Sequence, residues 1–304
     1  MEPGARTSRA IPEPSTAGTE IIDREAERRR LHQAICKRES LLICGPRGVG
    51  KTTVISAVLA ELPPAMGRSV ISVDGPHGLQ PFLRALLNKL HEAGDKTLRK
   101  HLSVEKVGRD SFKGWLNSAP TSKLKGSIYR SMQMDSYWVF LDHLPPLTHA
   151  MANVVRELVW MLNTPVYLAA RGSGPGEVGY ATNLYWGEQQ RLVLPPLHKA
   201  AACELLEACI QRFGLAHLNL DGFREAVLSF SRYNPGALVG MCKLAAEERY
   251  HYGSRIKTRM IHIDYLMSLN GRNPPASGLD GMRLGDRGPH GFRRPSRETA
   301  RDRC

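Results

Sequence analysis

The sequence predicts an α/β fold with a parallel five-stranded sheet, followed by a small helical domain. Short apolar runs alternate with helical segments between residues 21 and 197, which is typical of strand–helix–strand units whose strands lie parallel. A glycine-rich phosphate-binding pattern follows the first apolar run, at residues 45–53. Only helical periodicity remains in residues 198–270. We therefore expect an α/β core at 21–197, a helical lid domain at 198–270, a disordered leader at 1–20 and a disordered basic tail at 271–304.

The early elements can be predicted from local sequence patterns. A helix is predicted over residues 23–35, with Asp23 as a residue suited to its N-cap. Residues 41–44 are uniformly apolar and predict a first buried strand, and residues 69–74 predict a second. Residues 79–91 carry leucine and phenylalanine at helical spacing, which predicts an amphipathic helix.

The glycine-rich pattern is G-x-x-x-x-G-K-T, the P-loop, and its residues are suited to holding a nucleotide. Glycine adopts positive φ and lets the backbone approach phosphate oxygens, so the loop N–H groups form an anion cradle at a helix start. Lys51 reaches the β- and γ-phosphates, and the Thr52 hydroxyl can ligate Mg²⁺. The expected cofactors are therefore ATP and Mg²⁺. The expected binding residues are Gly45, Pro46, Arg47, Gly48, Val49, Gly50, Lys51, Thr52 and Thr53.

Two later strands are predicted to end in charged residues. Residues 137–142 are five large apolar residues followed by Asp142. A carboxylate at the carboxyl end of such a strand lies beside the P-loop, where Mg²⁺ needs an oxygen ligand, so we interpret Asp142 as the Walker B acid. Residues 164–171 end in Arg171, which is suited to meeting the γ-phosphate or, alternatively, to capping helix carbonyls or pairing with an acid. A short fifth strand is predicted at 191–194.

The helical domain is predicted to be a bundle of about four helices. Apolar residues recur at helical spacing in residues 201–213, 221–231, 235–250 and 261–269. The turn Asn234-Pro235-Gly236 places a proline at the first position of the third helix, where proline is favoured.

The chain carries an excess of positive charge that does not come from its ends. Its formal net charge is +13; the leader carries −1 and the tail +4, which leaves +10 on residues 21–270. A basic core indicates a polyanionic partner, either nucleic acid or an anionic membrane surface. The densest basic stretch, residues 94–130, includes Phe112, Trp115 and Tyr129. Such a mixture is compatible with phosphate contact plus base stacking, and equally with a solvated insertion whose aromatic side chains pack inward.

The cysteines and the hydropathy of the sequence indicate where in the cell the protein is found. The six cysteines show no C-x-x-C pairing and no histidine spacing that would suit zinc, which indicates reduced thiols in a cytoplasmic protein. No run of about 18 uninterrupted apolar residues occurs, so we expect no membrane span.

In this order the motifs resemble the STAND and origin-recognition-like branch of the AAA+ P-loop ATPases, over residues 21–265. The segment Ile22–Leu31 is similar to the family's opening motif, which lies near the adenine. The P-loop matches fully, Asp142 matches the Walker B acid, and the strand ending in Arg171 is similar to the sensor-1 strand of STAND proteins.

Two further segments extend the resemblance into the lid. Leu192–Leu197 resembles the junction before the lid, and Asn234–Leu238 resembles the motif whose proline approaches the base in STAND proteins. The resemblance implies a three-layer P-loop NTPase core with a helical lid, and it places Ile22 and Pro235 near the nucleotide base.

The chain departs from the family pattern at two positions. The family usually has a second acid directly after the Walker B aspartate, which orients the attacking water, and this chain has His143 there. Histidine is suited to acting as a base near neutral pH, but the exchange leaves open whether ATP is hydrolysed, slowly hydrolysed or only bound. Origin-recognition-like members often carry an arginine within the lid motif where this chain has Gly236, which favours the STAND side of the resemblance.

Three functions remain open at this point. The first is an ATP·Mg²⁺-dependent molecular switch with slow hydrolysis, in which the catalytic candidates are Lys51, Asp142, His143 and Arg171. The second is a DNA-associated helper ATPase of the transposition or replication type, with nucleic acid held by the basic core. The third is a nucleotide-binding interaction module that does not turn over ATP. A second copy of the chain (a homo-oligomer) or another protein is a further candidate partner.

Overall fold

Five parallel strands form one sheet, as the sequence predicts. The computed structural model describes residues 22–269 except 68, 76, 105–110, 144 and 186, so the predicted leader and tail lie outside the described residues. The strands are β1 (Leu41–Cys44), β2 (Val70–Asp74), β3 (Trp138–Asp142), β4 (Val166–Ala170) and β5 (Arg191–Val193). Their order across the sheet is β2-β3-β4-β1-β5, and every pairing is parallel.

This strand order brings the predicted site residues to one edge of the sheet. β1 lies between β4 and β5, so the P-loop leaves the sheet next to the end of β4. β3 lies between β2 and β4, with Asp74 in register with Asp142. Because the carboxyl ends of parallel strands share one edge, the residues that follow β1, β3 and β4 converge there.

Helices cover both faces of the sheet and make a three-layer core. The helices are α1 (Glu25–Cys36), α2 (Lys51–Glu61), α3 (Pro64–Gly67), α4 (Leu79–Glu92), α5 (Lys96–Val104), α6 (Phe112–Ser118), α7 (Thr121–Met134), α8 (His149–Arg156) and α9 (Pro175–Val178), and α8 continues as a π-helical turn over Glu157–Met161. Side chains alternate along β1, so Leu41 and Ile43 pack with α1 and α2, whereas Leu42 and Cys44 pack with α4 to α8.

The start of the first helix differs from the prediction. Arg24, not Asp23, occupies the N-cap position of α1. Asp23 adopts φ +56°, and its carboxylate lies 2.5 Å from His198 Nδ1. The predicted N-cap was wrong because a tertiary contact with His198 takes the Asp23 side chain away from the helix.

The basic stretch at 94–130 is more regular than the sequence indicates. Its described part consists of α5, α6 and α7. Phe112 is buried, and Trp115 and Tyr129 pack against the same core. Of the two interpretations left open by the sequence, the structure favours the insertion whose aromatic side chains pack inward.

A second bundle follows β5 and is called the lid below. It contains α10 (Lys199–Arg212), α11 (Phe223–Ser231), α12 (Pro235–Ala245) and α13 (Thr258–Leu269), which share a separate hydrophobic cluster. The predicted helix over 235–250 ends early, at Ala245, and a two-stranded hairpin, β6 (His251–Tyr252) and β7 (Arg255–Ile256), precedes α13. Gly253 turns this hairpin at φ +57°, and the Tyr250 hydroxyl donates to buried Asp264.

The length and hydropathy of the helices can be compared with what a membrane span requires. Within the described ranges, no helix combines the length and apolar character that crossing a bilayer requires.

Candidate functional site

A cavity of about 1140 Å³ opens at the carboxyl edge of the sheet, between the core and the lid. The P-loop, the ends of β3 and β4, and the first turns of α12 line it. Ten of the predicted site residues lie in its wall: Arg47, Gly48, Gly50, Lys51, Thr52, Thr53, Asp142, His143, Arg171 and Pro235. The structure thus brings together side chains that are up to 188 residues apart in the sequence.

The P-loop backbone has the conformation that an anion cradle requires. Gly48 and Gly50 adopt φ +81° and +98°, and Gly50 is the N-cap of α2. A Cβ added at Gly50 would meet no atom within 4 Å, so the loop leaves open space next to the helix start. The first N–H groups of α2 are therefore available to an anion at the positive end of the helix dipole.

Lys51 lies in the cavity wall, and the P-loop backbone holds its ammonium group. Its ammonium donates to the carbonyl oxygens of Gly45 at 2.7 Å and Pro46 at 3.2 Å. Burial lowers the pKa of Lys51, an effect that Asp142 opposes and Arg171 reinforces. A bound polyphosphate would offset both the burial and the neighbouring cation.

Thr52 and Asp142 form the oxygen pair that fits a magnesium ion. The Thr52 hydroxyl donates to Asp142 Oδ2 at 2.6 Å, so a hydroxyl and a carboxylate oxygen stand together at the cavity wall. Oxygen ligands of this kind suit Mg²⁺, which keeps several waters and takes phosphate oxygens from its nucleotide. In the part of the chain that the structure describes, no group of three His, Cys, Asp or Glu forms a metal site by itself. The pair therefore fits a metal that is shared with a nucleotide.

Asp142 also holds the residue that follows it. His143 donates its backbone N–H to Asp142 Oδ1 at 2.8 Å and adopts φ +50°. Its Nδ1 lies 2.8 Å from Asp74 Oδ1, at the end of the neighbouring strand β2. Asp74 was not predicted as a site residue, although an acid at the end of a second strand is a signal of the same kind as Asp142.

Arg171 lies at the cavity wall with an exposed side chain. Among the described residues it has no hydrogen-bond or ion-pair partner, so the alternative of a capping or acid-paired arginine finds no contact there. Its charge is close enough to lower the pKa of Lys51. Two cations thus face the space next to the P-loop.

The lid contacts the P-loop directly. The Gly236 N–H, in the first turn of α12, donates to the Gly48 carbonyl at 2.8 Å, and the Asn234 amide donates to the Arg47 carbonyl at 2.9 Å. The approach is close because both partners are glycine: a Cβ added at Gly236 would lie 2.7 Å from Gly48 Cα. The Arg47 side chain in turn donates to the Leu269 carbonyl at the end of α13.

Arg24, which was not predicted as a site residue, joins the segment before α1 to the same contact between the P-loop and the lid. Arg24 is buried, and its guanidinium donates to the carbonyls of Val49 at 3.3 Å and Pro195 at 2.7 Å. It therefore joins the P-loop to the connection between β5 and the lid. A buried arginine needs such acceptors, because an unpaired guanidinium inside a protein is strongly unfavourable.

Four predicted binding residues lie outside the cavity wall. Gly45 and Pro46 contribute their carbonyls to Lys51, and Val49 is buried in the core beneath the loop. Ile22, expected near the adenine, packs half-buried against the lid cluster and is not among the wall residues.

Comparison with known proteins decides the family. The model of the AAA ATPase domain family matches residues 20–219, more than half of the chain. The chain belongs to the AAA ATPase domain family. The fold, the P-loop and the helical part after the sheet agree with an AAA+ P-loop ATPase. A comparison with curated proteins gives no match.

Solved structures share the fold of this AAA ATPase domain at low sequence identity. A Walker-type ATPase of Pyrococcus abyssi is 15% identical, with a TM-score of 0.54 over 83% of this chain and 74% of that one. Drosophila ORC bound to DNA is 12% identical, with a TM-score of 0.52 over 89% and 71%. Cdc6p from Pyrobaculum aerophilum is 10% identical, with a TM-score of 0.52 over 86% and 66%. At these identities the likeness concerns the fold alone.

The Gly236–Gly48 contact leads to a prediction for Gly236→Ala. The added Cβ would overlap the P-loop backbone, so we expect the lid to shift and the free energy of unfolding to fall by about 1–3 kcal/mol. Denaturant unfolding of the full chain measures this change. Gly126→Ala is the matched control, because a Cβ there meets nothing within 4 Å and alanine favours α7 by up to about 1 kcal/mol. Equal stability of Gly236→Ala and the wild type would show that the contact is not needed.

Proposed function

We propose that this AAA ATPase domain is an ATP- and Mg²⁺-dependent molecular switch whose nucleotide binds between the core and the lid. The observation that carries the proposal is the pair of hydrogen bonds from the start of α12 to the P-loop, made by Gly236 and Asn234. They place lid residues in the wall of the cavity that Lys51 and Thr52 also line. A ligand in that cavity contacts both parts at once, so its binding can change how they sit together.

Each part of ATP has a complementary group in the cavity wall. The P-loop N–H groups and Lys51 face the phosphates, and Thr52 with Asp142 supplies two oxygen ligands for Mg²⁺. When bound, Mg²⁺ neutralises phosphate charge and holds the phosphates in a fixed geometry. Pro235 and Val239 offer apolar contact from the lid side.

Arg171 is the group that distinguishes ATP from ADP in this proposal. Its side chain is exposed at the cavity wall and lacks a partner among the described residues. A γ-phosphate gives the guanidinium a strong, charge-assisted partner, whereas ADP does not. A switch requires that ATP and ADP contact the protein differently. A ligand that binds two conformations with equal affinity does not shift the equilibrium between them.

Amide hydrogen exchange tests the switch. With Mg²⁺ and a slowly hydrolysed ATP analogue, we expect amide exchange in the first turns of α12 to be at least about tenfold slower than with Mg·ADP. A tenfold difference corresponds to about 1.4 kcal/mol in the free energy of local opening. Arg171→Ala should abolish this difference while ADP affinity stays within about twofold, because the γ-phosphate contact alone is lost.

The matched control for Arg171→Ala is Arg212→Ala, at the end of α10 in the lid and outside the cavity wall. The proposal is contradicted if ATP and ADP protect α12 equally in the wild-type protein, or if Arg171→Ala keeps the difference.

Association with DNA is a second candidate, and the surface of α5 and α7 favours it. Lys96, Arg99 and Lys100 of α5 and Arg130 of α7 are exposed on two helices that pack together. The aromatic side chains of this region pack inward, so the surface offers charge and little stacking, which suits the phosphate backbone of duplex DNA. The fold is shared with Drosophila ORC, which was solved bound to DNA.

Salt-dependent duplex binding tests the DNA candidate. Replacing Lys96, Arg99, Lys100 and Arg130 by glutamine should make the negative slope of log Kobs against log salt shallower. Its magnitude should fall by about three to four, because each phosphate contact contributes about 0.9.

Fluorescence anisotropy with a labelled duplex measures the slope. The matched control removes four exposed cations elsewhere: Arg29, Lys37, Lys199 and Lys243. If both quadruple variants lose the same slope, the binding is diffuse; if the wild type does not bind at low salt, the DNA candidate is excluded.

A further inference from the structure

His143, in the cavity wall next to Thr52 and Asp142, forms a second polar pair with Asp74, which is not itself a wall residue. The Asp74 Oδ1 atom lies 2.8 Å from His143 Nδ1, whereas Asp142 Oδ2 lies 3.7 Å from the same nitrogen. The closeness follows from the topology, since β2 and β3 are neighbours and Asp74 is in register with Asp142. The strand ends therefore bring a carboxylate to the imidazole that follows β3.

Backbone contacts, not burial, fix the place of this pair. His143 is held by its N–H bond to Asp142 Oδ1, and the Gly75 N–H donates to the Asp142 carbonyl at 3.0 Å. The His143 and Asp74 side chains are 62% and 75% exposed, so packing does not force them together. An exposed pair of this kind adds little to stability.

We propose that Asp74 is a positioning residue for His143, and that His143 takes the place of the second acid by accepting a hydrogen bond from the attacking water. A carboxylate that accepts the Nδ1–H fixes the ring orientation and the tautomer, which leaves Nε2 as an acceptor. Within the described residues Nε2 has no hydrogen-bond partner, and the ring lines the cavity. The inference rests on the proposed ATP site and adds water-directed hydrolysis to it.

The reaction needs no group beyond those named. The water oxygen forms a bond to the γ-phosphorus while the bond from that phosphorus to the β,γ-bridging oxygen breaks, and the electron pair of the broken bond leaves with ADP. Both water hydrogens finish on the released dihydrogen phosphate. His143 directs a lone pair of the water towards phosphorus and is unchanged at the end. Its contribution to the rate is the orientation of the water.

Glu177 of α9 is a competing acceptor, because this residue also lines the cavity. It packs over its own loop, since a Cβ added at Gly174 would lie 3.0 Å from Glu177 Oε2. Within the described part of the chain, no hydrogen bond from β3 positions Glu177, whereas Asp142 at the end of β3 accepts the His143 N–H. The two candidates predict different variants to lose turnover.

Single-turnover hydrolysis of Mg·ATP by the full chain separates these roles. Asp74→Ala should lower the rate about 10–100-fold, as loss of an orienting partner typically does, while the Kd for Mg·ATP changes less than about twofold. In a His143→Glu background, adding Asp74→Ala should change the rate less than about twofold, because a carboxylate has no tautomer to fix. Asp221→Ala, an exposed aspartate of the lid, is the control.

A spectroscopic measurement on the nucleotide-free protein tests the positioning without turnover. With ¹⁵N-labelled histidine at alkaline pH, the His143 ring should be the Nδ1–H tautomer in the wild type. In Asp74→Ala it should change to a mixture in which Nε2–H dominates. A purely structural role for Asp74 would leave this signature unchanged in any variant that stays folded.

Four outcomes overturn the inference. An unchanged tautomer in Asp74→Ala removes the positioning role. Loss of turnover in Glu177→Gln together with full turnover in His143→Ala would show that Glu177, and not His143, orients the attacking water. Binding of Mg·ATP without any turnover in the wild type overturns the inference and leaves the switch intact. Absence of Mg·ATP binding overturns both.

Discussion

The hydrogen bond between the Thr52 hydroxyl and Asp142 Oδ2 joins the two halves of the phosphate site. Thr52 lies in the first turn of α2, the helix after β1, and Asp142 ends β3, with β4 between β1 and β3. The contact is available because three parallel strands end at the same level and because apolar runs on both faces hold them there. The positions of His143 and Lys51 relative to a nucleotide depend on that alignment.

The lid makes the same edge of the sheet into a cavity. Glycine at positions 48 and 236 lets two backbones approach closely, and buried Arg24 ties the P-loop to the connection that leads into the lid. A bulky residue at either glycine would separate the two parts. Lysine and arginine side chains then face the enclosed space, and this excess of positive charge suits a polyphosphate.

The sequence predicted the sheet, the P-loop and the strand-end residues Asp142 and Arg171, because each is encoded by a local pattern. It did not predict the pairing of Asp74 with His143, since that depends on which strands are neighbours. Arg24 was missed for a related reason: its acceptors lie 25 and 171 residues away. Helices α5 to α7 were obscured by their charge, although their apolar side chains cover the sheet. Local sequence patterns therefore predicted the strands, the helices and the P-loop. The contacts of Asp74 and Arg24 depend on tertiary structure and could not be predicted in this way.

Calorimetric titration of ATP, with and without Mg²⁺, tests most directly whether the Thr52–Asp142 pair holds a metal shared with a nucleotide. In the wild-type chain Mg²⁺ should tighten ATP binding by about tenfold or more, corresponding to about 1.4 kcal/mol. In Asp142→Asn this gain should largely disappear, while metal-free ATP binding persists through the P-loop and Lys51. The same Mg²⁺ effect in both proteins, or no ATP binding in the wild type, would contradict the account.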